Sequence, residues 1–239
     1  MKDNEKKFTL PMLEAPRTMR VRFRKVGNLQ YISHLDLQRT FSRVLVRAGL
    51  PLWYTKGFNP HIKMVFGLPL PVGSESECEF LDIRIEREMS EGEILARLNA
   101  ELTEELAAIE VYPAERKLQE IAFAEYEFTV HTENADEALV ERIRALLENG
   151  PLTVIRKTKS TEAEVDVREF IKRYALSLEG GAIHLTAVVD AAEGRVLSPE
   201  LVITALRTHA GILKGDPMLE KYRILRRRTF LADGVTEFR

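Results

Sequence analysis

Residues Met19-Arg-Val-Arg-Phe-Arg-Lys-Val26 alternate apolar and basic side chains, with Met19, Val21 and Phe23 on one side and Arg20, Arg22 and Arg24 on the other. A period of two predicts a half-buried strand with a basic outer face. The period then changes. Leu37, Phe41, Val44, Leu45 and Ala48 recur at helical spacing, opened by Ser33-His-Leu-Asp36, which resembles a capping box, and stopped by Gly49 and Pro51. Arg39, Arg43 and Arg47 repeat every fourth residue on another face of this helix. Phe80-Leu-Asp-Ile-Arg-Ile85 returns to strand alternation. Ser90-Glu-Gly-Glu93 caps a helix with Ile94, Leu95, Leu98 and Leu102 inward, and Ile109-Glu-Val-Tyr112 closes the unit as a strand.

The same order then starts again. Tyr126–Val130 reads as a strand, and Asn134-Ala-Asp-Glu137 caps a helix stopped by Gly150-Pro151. Leu152–Ile155 is a strand; Ala175–Leu178 and Ile183–Val189 form a hairpin through Gly180-Gly181. Ser198-Pro199-Glu200 starts a last helix, and Tyr222–Phe230 is a last strand. Arg223 and Arg227 fall on one of its faces and Arg226 and Arg228 on the other, which predicts an edge or exposed strand. Each half reads as β-α-β-β-α-β. The predicted fold is α+β: two tandem ferredoxin-like (split βαβ) units with antiparallel sheets. Residues 1–17 read as a loosely ordered lead-in, 18–115 as the first unit and 122–232 as the second.

The stretch from Tyr54 to Gly73 breaks this regularity. Three glycines and three prolines exclude one long helix or one clean strand. Between them stand Tyr54, Lys56, Phe58, Asn59, His61, Lys63 and Phe66. Aromatic, basic and amide groups held in a Pro/Gly frame point to a shaped binding surface, whereas connections are ordinarily polar.

Charge sharpens that reading. The net charge is −2, yet residues 1–65 hold 13 Lys/Arg against 4 Asp/Glu, and residues 66–150 hold 7 against 21. A basic first segment in a near-neutral chain is a footprint for an anion. Arg22, Arg24, Arg39, Arg43, Arg47, Lys56 and Lys63 are the candidate phosphate contacts, with Asn59 and His61 beside them. Tyr54, Phe58 and Phe66 are the candidates for base stacking. The partner this implies is RNA.

Other chemistries find less support. The single Cys78 forms no internal disulfide, and its flanking glutamates suit a strand residue in a reducing cytoplasm. No apolar run spans a bilayer and no apolar leader opens the chain, so a cytoplasmic protein without membrane contact is expected. No HxH, HExxH or CxxC spacing and no phosphate-loop or nucleophile-elbow motif occurs, so no metal and no cofactor is expected. His34 and His61 are the candidates for general acid–base work.

Tyr31-Ile-Ser-His-Leu-Asp-Leu37, Arg47-Ala-Gly-Leu-Pro51, Gly57-Phe-Asn-Pro-His-Ile-Lys63, Phe66-Gly-Leu-Pro-Leu-Pro-Val-Gly73 and Glu79-Phe-Leu-Asp82 together resemble an uncharacterised radical-SAM-linked bacterial family. Its members stand beside or fused to a radical S-adenosylmethionine protein with a cobalamin-binding region. The resemblance implies a radical SAM partner and carries no catalytic residues. The layout is also similar to that of CRISPR-associated endoribonucleases, without their C-terminal Gly-rich loop. The expected function is an RNA-binding or substrate-presenting accessory protein for a radical SAM enzyme. An RNA-processing or RNA-modifying enzyme using His34 or His61, and a protein–protein adaptor without nucleic acid, are the alternatives.

Overall fold

The computed structural model describes residues 10–157 and 162–239, a mixed α+β fold on antiparallel strands divided into two compact units between Leu118 and Gln119. The first unit runs β1 (Met12–Lys25), α1 (His34–Arg47), β2 (Met64–Phe66), β3 (Glu75–Arg87), α2 (Glu91–Asn99) and β4 (Ala108–Pro113). Its strands lie in the order β4–β1–β3–β2, all antiparallel. Of the predicted lead-in, residues 1–9 lie outside the described residues, and β1 already includes residues 12–17.

The core follows the apolar alternation. Met19, Val21 and Phe23 of β1, Leu81, Ile83 and Ile85 of β3, and Leu37, Phe41, Val44 and Leu45 of α1 are all buried together. Ser33 caps α1 by accepting from the Asp36 amide at 3.2 Å, and Ser90 caps α2 by accepting from the Glu93 amide at 3.2 Å. Removing such a cap costs about 1 kcal/mol.

The basic outer face of β1 needs correction. Arg20 is fully buried and makes a bidentate pair with Asp82 on β3, at 2.7 and 2.9 Å. Arg20 and Asp82 are cross-strand partners in the β1–β3 register, so the pairing itself aligns them. Lys25 is also buried, its ammonium donating to the carbonyls of Leu29 at 3.2 Å and Ser74 at 3.1 Å. These cations hold the sheet and its loops together; they do not face outward.

The second unit runs β5 (Phe123–His131), α3 (Glu137–Asn149), β6 (Thr153–Lys157), β7 (Glu162–Asp166), β8 (Ile171–Glu179), β9 (Ala182–Ala192), β10 (Arg195–Val196), α4 (Glu200–His209) and β11 (Lys221–Phe230). Its main strands lie in the antiparallel order β11–β5–β9–β8; short β10 pairs with the end of β9, and β6 and β7 form a separate hairpin. The cap of α3 is Asp136, which accepts from the Leu139 amide at 2.8 Å, two residues past the predicted Asn134.

Strand β11 departs from the exposed strand predicted for it. The register slips between Arg226 and Arg228, a bulge that shifts the alternation by one residue. Arg226 is therefore buried while Arg228 is exposed. Arg227 donates to Glu127 and Arg228 to Glu125, each at 2.9 Å. No helix among the described residues is long and apolar enough to cross a membrane.

Candidate nucleic-acid interface

The Pro/Gly stretch is an excursion from an edge strand. Past α1, Gly49 adopts φ +63°, and buried Leu50 and Leu52 bring the chain alongside β3. Leu52 bridges Ile85, and the Trp53 amide donates to the Arg84 carbonyl at 2.8 Å. Met64, the first residue of β2, then pairs with Ile83. The edge pairing therefore continues from Trp53 to Met64, and residues 54–63 leave and return as a small hairpin. Its neck is the Tyr54–Ile62 bridge. Ile62 is buried and roots the hairpin in the core.

One step beyond the bridge the strands are tied again. The Thr55 amide donates to the His61 carbonyl at 2.9 Å, and the His61 amide donates to the Thr55 hydroxyl at 3.1 Å. The His61 Nδ1 lies 3.0 Å from that hydroxyl and 3.2 Å from the Asn59 carbonyl. His61, itself exposed, thus braces the hairpin. Lys56, Phe58, Asn59 and Pro60 form the tip, all exposed, and Gly57 at φ +136° allows the chain to turn there. Lys63 is exposed beside buried Ile62, as alternation requires.

The predicted cations divide into engaged and open groups. Arg39 pairs with Asp36 at 3.2 Å, and Arg47 with Glu101 at 2.7 Å. The Ser33 hydroxyl, followed by the Arg39 guanidinium, holds the Asp36 carboxyl below its ordinary 3.8. Arg24 donates to the Glu104 carbonyl at 2.6 Å, and Arg22 is half-buried on the same strand. Arg43, Lys56 and Lys63 are exposed and have no ion-pair partner among the described residues. They are the cations left for an external anion.

The aromatic candidates divide as sharply. Phe66 packs edge-on against Phe41, Phe23 and His34, with ring centroids 5.7, 6.3 and 5.3 Å away. It is partly buried and packs against the core. Tyr54 is 44% exposed at the hairpin neck, and Phe58 is fully exposed at the tip. Reasoning from sequence missed Trp53, whose ring lies 5.5 Å from the Arg84 guanidinium just before the hairpin.

The two histidines are not brought together by any hydrogen bond. His34 opens α1, where the Gln38 amide donates to its Nε2 at 3.0 Å. Neither histidine pairs with a carboxylate, and no group of three or more His, Cys, Asp or Glu side chains could hold a metal, among the described residues. A cleft of about 400 Å³ opens elsewhere in this unit, between the start of β1 and the first turn of α2. Arg17 shares its lining with Glu88 and Glu93, and it contains none of the predicted site residues.

Comparison with known proteins supplies a family. A model of uncharacterised proteins conserved in bacteria matches residues 18–199, most of the chain, and the chain belongs to that family. No curated protein matches. Among solved structures, an unknown protein from Galdieria sulphuraria is 13% identical, with 89% of this chain and 99% of that one covered and a TM-score of 0.26. A heme-bound variant of DypB from Rhodococcus jostii RHA1 is 10% identical, with 91% and 94% covered and a TM-score of 0.20.

Proposed function

We propose that this chain is an RNA-binding, substrate-presenting accessory protein, and that a radical SAM enzyme is the partner it serves. The carrying observation is the 54–63 hairpin. It projects Lys56, Phe58 and Asn59 into solvent from a neck tied by Thr55 and His61, with Lys63 at its base. Exposed cations without internal counter-charge are available to phosphates, and exposed aromatic faces are available to bases. Phe66 of the same stretch is partly buried and packs against the core, whereas Phe58 is fully exposed. The partner rests on the motif resemblance in residues 31–82.

We read both units as ferredoxin-like. The strand orders β4–β1–β3–β2 and β11–β5–β9–β8 support this, since each matches a split βαβ unit, with β6 and β7 as an inserted hairpin.

A salt titration tests the function. Labelled RNA is bound by the purified protein at low salt, and affinity falls steeply and linearly in log–log form as salt rises. Binding that is absent at low salt, or insensitive to salt, overturns the reading.

A further inference from the structure

We propose that the tip of the 54–63 hairpin is a stacking platform for one unpaired RNA base. Phe58 supplies the ring, and Lys56 and Lys63 meet the adjoining phosphates. This rests on the RNA-binding reading above and names the form of RNA that the site takes.

Phe58 is fully exposed, whereas Phe23, Phe41 and Phe80 of the same unit are buried. Its presentation is fixed from below. The Tyr54–Ile62 bridge, the two Thr55–His61 hydrogen bonds and buried Ile62 define the neck, so the ring stands on a short, closed loop. Less conformational freedom is then lost when a ligand settles on it.

The surroundings select the ligand. The exposed apolar side chains of the hairpin are Phe58 and Pro60 at the tip and Tyr54, 44% exposed, at the neck. A protein partner needs hundreds of square ångströms of matched surface, more than these three side chains offer. One aromatic face does match one nucleobase, and stacking tolerates any base because each has a π-face. Lys56 lies two residues before the ring and Lys63 five residues after it, both exposed. A backbone running past the tip would carry phosphates within reach of either lysine. The internal bases of an A-form duplex are covered on both faces, so away from its ends a duplex could engage the lysines alone. The site therefore discriminates by strandedness.

The test uses the whole protein with two probes, a single-stranded RNA carrying 2-aminopurine and the same sequence annealed as a blunt duplex. Tighter binding of the single strand is expected, with a change in 2-aminopurine fluorescence on binding. Phe58→Ala weakens single-strand binding about tenfold and leaves duplex binding unchanged; Phe58→Trp restores it. Equal loss on both probes, or no loss on either, overturns the stacking role while leaving RNA binding intact. Wild-type protein that binds neither probe at low salt overturns the RNA reading itself. Phe58-dependent binding to anionic phosphatidylglycerol vesicles, with RNA binding unaffected by Phe58→Ala, reassigns the tip to a membrane surface and also overturns the proposal.

Discussion

Thr55 and His61 hold each other across the hairpin neck, the Thr55 amide donating to the His61 carbonyl at 2.9 Å and the His61 amide to the Thr55 hydroxyl at 3.1 Å. The side chain of Thr55 thus does work that its backbone cannot. Thr55→Val keeps the shape and removes the hydroxyl acceptor. A typical net hydrogen bond contributes about 0.5–1.5 kcal/mol. We expect RNA affinity to fall by a factor of about 2–10, with a melting temperature close to wild type because the Thr55–His61 contacts are solvent-exposed. Fluorescence titration and thermal unfolding measure the two quantities separately.

Charge reversal separates open cations from engaged ones. Lys56→Glu with Lys63→Glu removes two phosphate contacts and adds repulsion, so affinity falls tenfold or more. On a single strand the salt slope decreases by about 0.7 per lost contact. Arg47→Glu breaks the pair with Glu101 instead, and its effect on RNA binding is smaller. Equal effects of the two changes would remove the distinction between the hairpin and the α1 stripe.

How much of this was legible follows from how far apart the determining residues lie. The buried stripe of α1 was readable because Leu37, Phe41, Val44 and Leu45 carry their period locally. Strand β2 was not, because residues 54–63 interrupt its edge pairing and leave only Met64–Phe66 beyond them. Arg20 looked like an outward cation because its partner Asp82 is 62 positions away. Arg47 and Glu101, 54 apart, concealed their pairing in the same way. The Asp36–Arg39 pair, three residues apart on one helix, was open to reading from the start. Phe58 and Phe66 are alike in sequence, and only tertiary packing places one in solvent and the other, partly buried, against the core.

Arg20 makes the first unit sensitive to Asp82. Asp82 accepts two bonds from the buried Arg20 guanidinium, and removing one partner of such a pair costs about 3–5 kcal/mol. Asp82→Ala should therefore destabilise strongly in denaturant unfolding. Arg20→Met combined with Asp82→Leu should recover most of the loss. A single Asp82→Ala variant as stable as wild type would show that the pair is not a structural requirement.

Glu220 gives a pH signature in the second unit. Its carboxylate accepts from the Thr132 hydroxyl at 2.5 Å, the Gly215 amide at 2.6 Å and the Glu133 amide at 2.9 Å. The Thr132 bond foremost, then the two amides, hold the carboxyl below its ordinary 4.5. A folded value below the unfolded one stabilises the fold at pH above the unfolded value, and that stabilisation is lost as pH falls through the folded one. The stability difference between wild type and Glu220→Gln is therefore largest above pH 4.5 and shrinks on acidification. Thermal melts across this range provide the check; a difference independent of pH would contradict it.

The isolated protein is expected to leave RNA chemically unchanged. General acid–base catalysis needs titratable groups within hydrogen-bond reach of the reacting atoms, commonly with a third group to orient the base. His34 is packed against Phe66, and its Nε2 accepts from the Gln38 amide. His61 spends its Nδ1 within the hairpin neck. Neither has a carboxylate to orient it among the described residues. His61→Ala should then weaken binding through the neck, as Thr55→Val does, without exposing any lost turnover. His34→Ala should act on the stability of the start of α1. Incubation of end-labelled RNA with the protein alone, resolved by electrophoresis and by mass spectrometry of the nucleosides, decides the matter. A cleaved or modified product that disappears with either histidine substitution would make the chain an enzyme in its own right, and would transfer the chemistry from the partner to this unit.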